Sequence, residues 1–241
     1  MESKDKELDP KELKSSRDEI HFEPLEVDFA NMVIRQKPGN PLGWWLGDYP
    51  NNYTEIEADG TLELHGNATV WQDINLGAAL LTKPAASAPD TDEFKDEGGN
   101  DTGIETYAFA PGEKVSGNFE IQHDYKEGSD LVFHIHWQGI AAPTGTDKVK
   151  WQLIYTVAKV DATLDAATTI TVESDFDTQY EFVRTDFAAI VGTNFNIEDQ
   201  VLFQISRVNA SANEYGGDAL IATVGIHYEI DTIGSRQINT K

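Results

Sequence analysis

The segment Leu131–Gln138 reads Leu-Val-Phe-His-Ile-His-Trp-Gln, with a large apolar side chain at every second position. Successive side chains of an extended strand point to opposite faces, so this pattern predicts a strand with one apolar and one polar face. The apolar face would carry Leu131, Phe133, Ile135 and Trp137. His134 and His136 would project from the polar face. This alternation is typical of an antiparallel sheet that covers a core on one side.

The same period continues in both directions along the chain. The other strands that we predict are Glu105–Phe109, Lys114–Tyr125, Val149–Val160, Thr168–Glu173, Gln179–Val183, Gln200–Asn209 and Ala219–Asp231. Three further apolar faces are expected: Val149, Trp151, Leu153, Tyr155 and Val157; Val201, Phe203 and Ile205; and Leu220, Ala222, Val224, Ile226, Tyr228 and Ile230. Lys83–Thr102 has little periodicity, and we expect a loop there. The pattern predicts an all-β fold, an antiparallel β-sandwich with jelly-roll topology.

Residues 1–52 differ from residues 53–241 in composition, so we divide the chain into an N-terminal arm with its connection and a β-sandwich domain. Asp9-Pro10-Lys11-Glu12 is typical of a helix start, which predicts a short helix to about Glu19. His21–Gln36 is expected to be an extended arm. Its candidate anchor residues for a partner are Leu25, Val27, Phe29, Met32 and Ile34. The sequence is compatible with docking of this arm on its own domain or on a neighbouring subunit.

Pro38–Pro50 is rich in Gly, Pro and Asn and is expected to be a connection. It carries Trp44 and Trp45, and Tyr53 follows closely. Aromatic faces suit sugar stacking and subunit contacts, and they also suit the closing of an open edge of a sandwich. We include Trp44 and Trp45 among the candidate partner-contact residues.

The chain has 241 residues and a formal net charge of −24. Neutralisation of phosphates requires clustered Lys and Arg, so this charge argues against nucleic acid and against anionic membranes as partners. Cysteine is absent, which excludes disulfides and thiolate metal sites. The polar start predicts no signal peptide, and the short apolar runs predict no membrane span. We expect a soluble protein.

The pair His134 and His136 is the sharpest local feature. Both imidazoles would project from one face, and His227 falls opposite the apolar set of its own strand, so the three could hold a divalent metal ion. The pair resembles the first half of the cupin metal motif. The Glu ligand that cupins place four or five residues later is replaced here by Ile140 and Ala141. We therefore expect ordinary residues of a sheet face, with a cupin-like metalloprotein as an alternative.

Other signatures of catalysis are missing from the sequence. It contains no Gly-x-Ser-x-Gly elbow, no Gly-x-Gly-x-x-Gly fingerprint and no Walker A loop. The acidic segment 90–101 has oxygen ligands suited to calcium but does not match the EF-hand spacing, and we interpret it as a solvated loop. We predict a protein that is not an enzyme and has no cofactor.

Six short stretches, in order, resemble a group of tailed-bacteriophage virion proteins. They are Asp59–Leu62 with Gly66–Asp73 (Gly-Asn-Ala-Thr-Val-Trp-Gln-Asp), His134–Trp137, Trp151–Tyr155, Gly217–Ala219 and His227–Arg236. The resemblance covers roughly residues 55–237. It implies a non-enzymatic β-sandwich component of the head, collar or tail, commonly trimeric. It supplies no catalytic residues.

This resemblance leads to a specific hypothesis. We expect a capsid-bound decoration or head-fibre protein of the virion that attaches through its N-terminal arm, contacts other virion proteins and forms a homo-oligomer, a trimer by the resemblance. The alternatives are a receptor- or glycan-binding tail or fibre protein and the cupin-like metalloprotein.

Overall fold

A computed structural model describes residues 25–28, 33–36, 44–48, 50–57, 59–238 and 240–241, with side chains from residue 45 onward. In these ranges the chain is built almost wholly from strands joined by turns. The strands are β1 Leu25–Asp28, β2 Val33–Gln36, β3 Trp44–Asp48, β4 Asn52–Ile56, β5 Leu62–His65, β6 Val70–Gly77, β7 Asp90–Lys95, β8 Asp101–Phe109, β9 Lys114–Glu120, β10 Leu131–Gly139, β11 Asp147–Ala158, β12 Thr168–Phe176, β13 Phe182–Asp186, β14 Gln200–Val208 and β15 Ala219–Ile230. Two 3-10 turns, Gly66–Ala68 and Ala78–Leu80, flank β6.

Two antiparallel sheets form the body of the protein. Sheet I has the strand order β13-β10-β15-β8-β7. On the edge of β15 away from β10, β8 pairs with residues 219–221 and β6 pairs with residues 223–230. Sheet II has the order β12-β11-β14-β9. The predicted antiparallel sandwich of jelly-roll type is confirmed.

The core lies between the two sheets and contains the apolar faces that the alternation predicts. Leu131, Phe133, Ile135 and Trp137 of β10 are all fully buried. Across the interface, Phe133 packs edge-on against Phe203 with ring centroids 5.3 Å apart, and Trp137 meets Trp151 at 6.3 Å. Burial of each such side chain stabilises the fold by about 1.5–3 kcal/mol.

The predicted apolar face of the last strand is wrong at its first two residues, Leu220 and Ala222. We placed Leu220 and Ala222 on the same face as Val224, but a β-bulge shifts the register, so that Thr223 pairs with His136 whereas Ile221 pairs with Trp137. The extra residue, Ala222, reverses the alternation before it. Ile221 and Ala219 therefore pack in the core, and Leu220 is buried outside that cluster.

The expectation of a loop over Lys83–Thr102 is also wrong in part. Asp90–Lys95 forms β7, which pairs with β8 from Asp101 onward. The acidic segment is thus a β-hairpin, and its polar residues are used in the turn. Asp96 Oδ1 accepts hydrogen bonds from the backbone N–H groups of Gly98 and Asn100. Such an Asp-centred turn needs no apolar residue and leaves no periodic signal.

The connection predicted over Pro38–Pro50 contains a strand. Residues of β3, including Trp44 and Trp45, pair with β4, which pairs with β5, so these strands form a small three-stranded sheet. The small sheet is joined to the end of β15, because Leu64 N–H donates to the carbonyl of Asp231 at 2.6 Å. β3 lies before the proposed boundary at residue 52 and β4 crosses it.

The predicted N-terminal arm is described only in two short strands. β1 and β2 are extended, as expected, but they pair with each other, and Val27 lies opposite Ile34. The predicted helix from Asp9 to Glu19 and the anchor residues Phe29 and Met32 lie outside the described residues. In the described ranges, no helix has the length and apolar character needed to cross a bilayer.

Candidate functional site

The outer face of sheet I carries a cluster of titratable side chains from three adjacent strands. Asp73 on β6 lies directly opposite His227 on β15, and His134 on β10 lies opposite Gly225, two residues before His227. These positions are on the polar face that the alternation predicts, away from the core. Strand pairing alone therefore brings together residues that are distant in sequence.

The two imidazoles of the cluster stack on each other. The rings of His134 and His227 have centroids 4.3 Å apart and an interplanar angle of 27°. Both Nε2 atoms approach the same carboxylate oxygen, Asp73 Oδ2, at 3.8 Å from His134 and 3.7 Å from His227. The three ligand atoms lie within 4.8 Å of one another. We call Asp73, His134 and His227 the Asp-His-His cluster.

Gly225 makes room for this arrangement. A Cβ atom at this position would overlap the His134 ring at Nε2 and Cε1. A glycine in the interior of a strand weakens it and often marks a close approach of another group. Here that group is the His134 imidazole, which lies flat over the β15 backbone and is 1% exposed.

The cluster has few hydrogen bonds of its own. Asn75 Nδ2 donates to Asp73 Oδ2 at 3.1 Å. Within the described part of the chain, neither imidazole is hydrogen-bonded, and the buried Nδ1 of His134 has no partner. Burial lowers the pKa of His134 to about 4, and the Asp73 carboxylate opposes that shift. His134 is therefore neutral at pH 7, with a lone pair available on one ring nitrogen.

His136 belongs to the surroundings of the cluster. Its ring meets His134 edge-on at 5.1 Å and stacks on Phe182 of β13 at 5.7 Å. Beside it, Arg184 Nε donates to Asp186 at 2.8 Å. From the sequence, His134, His136 and His227 were the candidate ligands of a metal ion. In the structure His134 and His227 lie together, and the third residue of the cluster is Asp73, not His136. The missing Glu of the cupin pattern has no counterpart on β10.

Asp73 was not recognised from the sequence because it lies on another strand. It closes the stretch Gly66–Asp73, which was quoted only for its resemblance to virion proteins. That stretch, His134–Trp137 and His227–Arg236 contribute all three residues of the Asp-His-His cluster. The residue opposite His227 is determined by the pairing of β6 with β15, which the sequence does not specify.

A second group of titratable residues lies on the small sheet. His65 Nε2 is 3.3 Å from both Glu55 and Glu63, and the His65 ring stacks on Tyr53 at 4.4 Å. Burial, followed by the nearby charge of Glu57, raises the pKa of the Glu63 carboxyl. The two carboxylates form ion pairs with His65 when it is protonated, and in the described residues the buried Nε2 of His65 makes no hydrogen bond.

Five of the seven predicted partner-contact residues lie on two small sheets, and Phe29 and Met32 lie outside the described residues. Leu25 and Val27 lie on β1 and Ile34 on β2, and Trp44 and Trp45 lie on β3. The Trp45 side chain is 41% exposed and Leu46 beside it is 60% exposed. A contact role for all seven proposed residues stays a prediction.

An open hollow lies on the outer face of sheet I, at the end of β6. Trp71 is 54% exposed there. The hollow is also lined by Lys126, Asp130 and Glu229, and Lys126 Nζ pairs with Glu229 at 2.7 Å. An exposed indole next to polar and charged groups has the apolar and polar character that suits amphipathic molecules.

The sequence matches no protein-family model and no curated protein. Among solved structures, the chain is similar to TmCBM61 in complex with β-1,4-galactotriose, with 9% identity and a TM-score of 0.26 over 67% of this chain and 88% of that one. It is also similar to the ANX2 ectodomain from Arabidopsis thaliana, with 10% identity and a TM-score of 0.36 over 75% of this chain and 55% of that one. The VP2 subviral particle of infectious bursal disease virus shares 11% identity at a TM-score of 0.32, over 83% of this chain and 42% of that one. None of these similarities assigns a role to this chain.

Proposed function

We propose that this chain is a non-enzymatic structural protein of a tailed-bacteriophage virion, bound to the capsid exterior as a decoration or head-fibre protein. In this proposal residues 1–52 attach the protein, the sandwich of residues 53–241 projects outward, and the chains assemble into a trimer. The ordered resemblance to virion proteins supports the class. The charge of −24 supports exposure to solvent and disfavours contact with packaged genome.

The observation that carries the attachment proposal is the surface of β3. This strand lies at the edge of the small sheet, within the proposed attachment segment of residues 1–52, and its residues Trp45 and Leu46 are exposed. Successive side chains of a strand point to opposite faces, so each face of this edge strand carries an exposed apolar side chain, which favours contact with another protein chain. Aromatic residues are enriched where such contacts form. We propose that Trp45 and Leu46 extend the contact made by Leu25, Val27, Phe29, Met32, Ile34 and Trp44.

Deletion of residues 1–36 is expected to abolish attachment and to leave the sandwich folded. The deleted segment lies before the small sheet, and the buried core residues among the described side chains lie beyond it. The measurement is co-sedimentation of purified protein with phage particles assembled without it. Near-ultraviolet circular dichroism reports whether the truncated chain keeps its tertiary structure.

Point variants test the contribution of Trp45 and Leu46 to attachment. The double variant Trp45→Ala with Leu46→Ala should weaken co-sedimentation, whereas Val160→Ala, at an equally apolar position that is 73% exposed, should not. Binding of the truncated chain at the full-length level would reject the anchor role of the arm. Equal binding by the double variant and by Val160→Ala would reject the contact at β3.

The hollow at Trp71 supports a second candidate function, a receptor- or glycan-binding fibre protein. Sugars stack their apolar faces on exposed indole rings, and neighbouring carboxylates and ammonium groups hydrogen-bond their hydroxyls. Trp71, Lys126 and Glu229 offer this combination. From the sequence, Trp44 and Trp45 were the candidates for sugar stacking. The polar groups around Trp71 suit sugar binding better than the β3 surface does.

Under this second function, the full chain would bind defined glycans on an array, and Trp71→Ala would reduce binding at least about tenfold. Trp45→Ala serves as the matched control because it removes another exposed indole and should leave glycan binding unchanged. A full-length chain that binds no glycan on a broad array, or glycan binding that survives Trp71→Ala, would contradict this function.

A further inference from the structure

We propose that Asp73, His134 and His227 bind one divalent transition-metal ion of the zinc class on the outer face of sheet I. The proposal is independent of attachment to a virion. It rests on three ligand atoms from three paired strands that lie within 4.8 Å of one another, with the Nε2 atoms of both imidazoles 3.7–3.8 Å from a single carboxylate oxygen.

The distances suit a shared ion better than a direct hydrogen bond. The Nε2 atoms of His134 and His227 lie 3.8 and 3.7 Å from Asp73 Oδ2, beyond hydrogen-bonding range. Ligands bound to zinc at about 2.0–2.2 Å in tetrahedral geometry are separated by about 3.3–3.5 Å. The two distances to Asp73 Oδ2 exceed this separation by a few tenths of an ångström, and all three ligand atoms lie within 4.8 Å of one another.

The imidazoles of the cluster also lack hydrogen bonds to other described residues. His134 is 1% exposed, and its ring makes no hydrogen bond with any described residue. The Nε2 atom, 3.8 Å from Asp73 Oδ2, is therefore available to coordinate a metal ion, whereas the buried ring atom without a partner is Nδ1. Asn75 donates to Asp73 Oδ2 and can orient the carboxylate, as groups around metal ligands commonly do.

The donor set selects the class of metal. Two imidazole nitrogens and one carboxylate oxygen are borderline ligands that suit Zn²⁺, Ni²⁺ and Co²⁺ better than Ca²⁺ or Mg²⁺, which prefer oxygen. Three donors leave at least one coordination position for water or for a group from another molecule. Asp73 and His227 are partly exposed, so this position faces the solvent side of the sheet.

The test is calorimetric titration of the full chain with ZnCl₂ at pH 7 after removal of metal with EDTA, together with metal analysis of the dialysed protein. One zinc ion should bind per chain. Asp73→Asn and His227→Gln, both on the outer face and away from the core, should each raise Kd at least about tenfold. Zinc should raise the melting temperature of the wild-type chain by more than that of either variant.

Two control variants test whether zinc binding is specific to the Asp-His-His cluster. His123→Gln removes a partly exposed histidine from another surface, and His65→Gln disrupts the cluster of the small sheet. Both should keep wild-type affinity. Absence of zinc binding, affinity that is unchanged in Asp73→Asn and His227→Gln, or affinity that is lost in His65→Gln alone would each overturn the proposal. Circular dichroism of each variant excludes unfolding as the cause of a loss.

Discussion

Replacement of Arg207 with methionine is expected to lower the free energy of unfolding by about 3–5 kcal/mol, because it leaves a group of buried acceptors without their donor. Arg207 lies on β14 and is fully buried. Its Nη1 donates to the carbonyls of Phe109 at 2.8 Å and Gly217 at 2.5 Å. Its Nη2 donates to Glu214 at 2.7 Å and to the carbonyl of Tyr215 at 2.5 Å.

These bonds join three parts of the fold. Phe109 ends β8 of sheet I, and residues 214–217 form the connection that leads into β15. Methionine can fill much of the space of the arginine stem but donates no hydrogen bond. Three carbonyls and a partly buried carboxylate would lose their partner, so the connection between β14 and β15 should loosen first.

Urea denaturation of the full chain measures this effect. Arg184→Met is the matched control, because Arg184 is exposed and pairs only with Asp186 at the surface of sheet I. Exposed ion pairs contribute about 0–1 kcal/mol, so the control should remain close to wild type. Similar small losses in both variants would show that the Arg207 network contributes little to stability.

Arg207 also shows where prediction from the sequence ends. Val201, Phe203 and Ile205 were predicted to share a face, and all three are buried. The same period places Arg207 on that face, but an arginine at an inward position is explained only by its acceptors. These come from a strand end and a loop that are remote in sequence, and nothing in the local pattern identifies them.

The candidate site was predictable to a similar extent. Alternation placed His134 on the polar face and His227 opposite its apolar set, and both positions are correct. It did not predict that His134 is buried, because the covering comes from the stacked His227 ring and from the space left by Gly225. Asp73 joined the site only through the pairing of β6 with β15. The alternation of side chains within a strand is a local property of the sequence. The order of the strands in a sheet and the register of their pairing depend on the whole chain.

Replacement of Trp137 with alanine is expected to lower the free energy of unfolding by about 3–5 kcal/mol. Trp137 is fully buried and packs against sheet II, where it meets Trp151 of β11 at 6.3 Å and Phe176 of β12 at 5.5 Å. Its Nε1 donates to Thr185 Oγ1 at 2.9 Å, which helps to hold β13 against β10. Alanine would leave a cavity, and the Thr185 hydroxyl would lose the hydrogen bond that Trp137 donates to it.

The decisive comparison for Trp137→Ala is the same substitution at Trp71, which is 54% exposed on the outer face. Both variants remove an indole from sheet I, but only the first removes core packing, so Trp71→Ala should cost less than about 1 kcal/mol. Because Thr185 also hydrogen-bonds Ser174 of β12, loss of the Trp137 contact should loosen the β12–β13 edge as well. Hydrogen exchange should then be faster in β13 and β12 than in β9, on the far edge of sheet II. Equal losses of stability at the two tryptophans, or uniform exchange over all these strands, would contradict a core that is centred on Trp137.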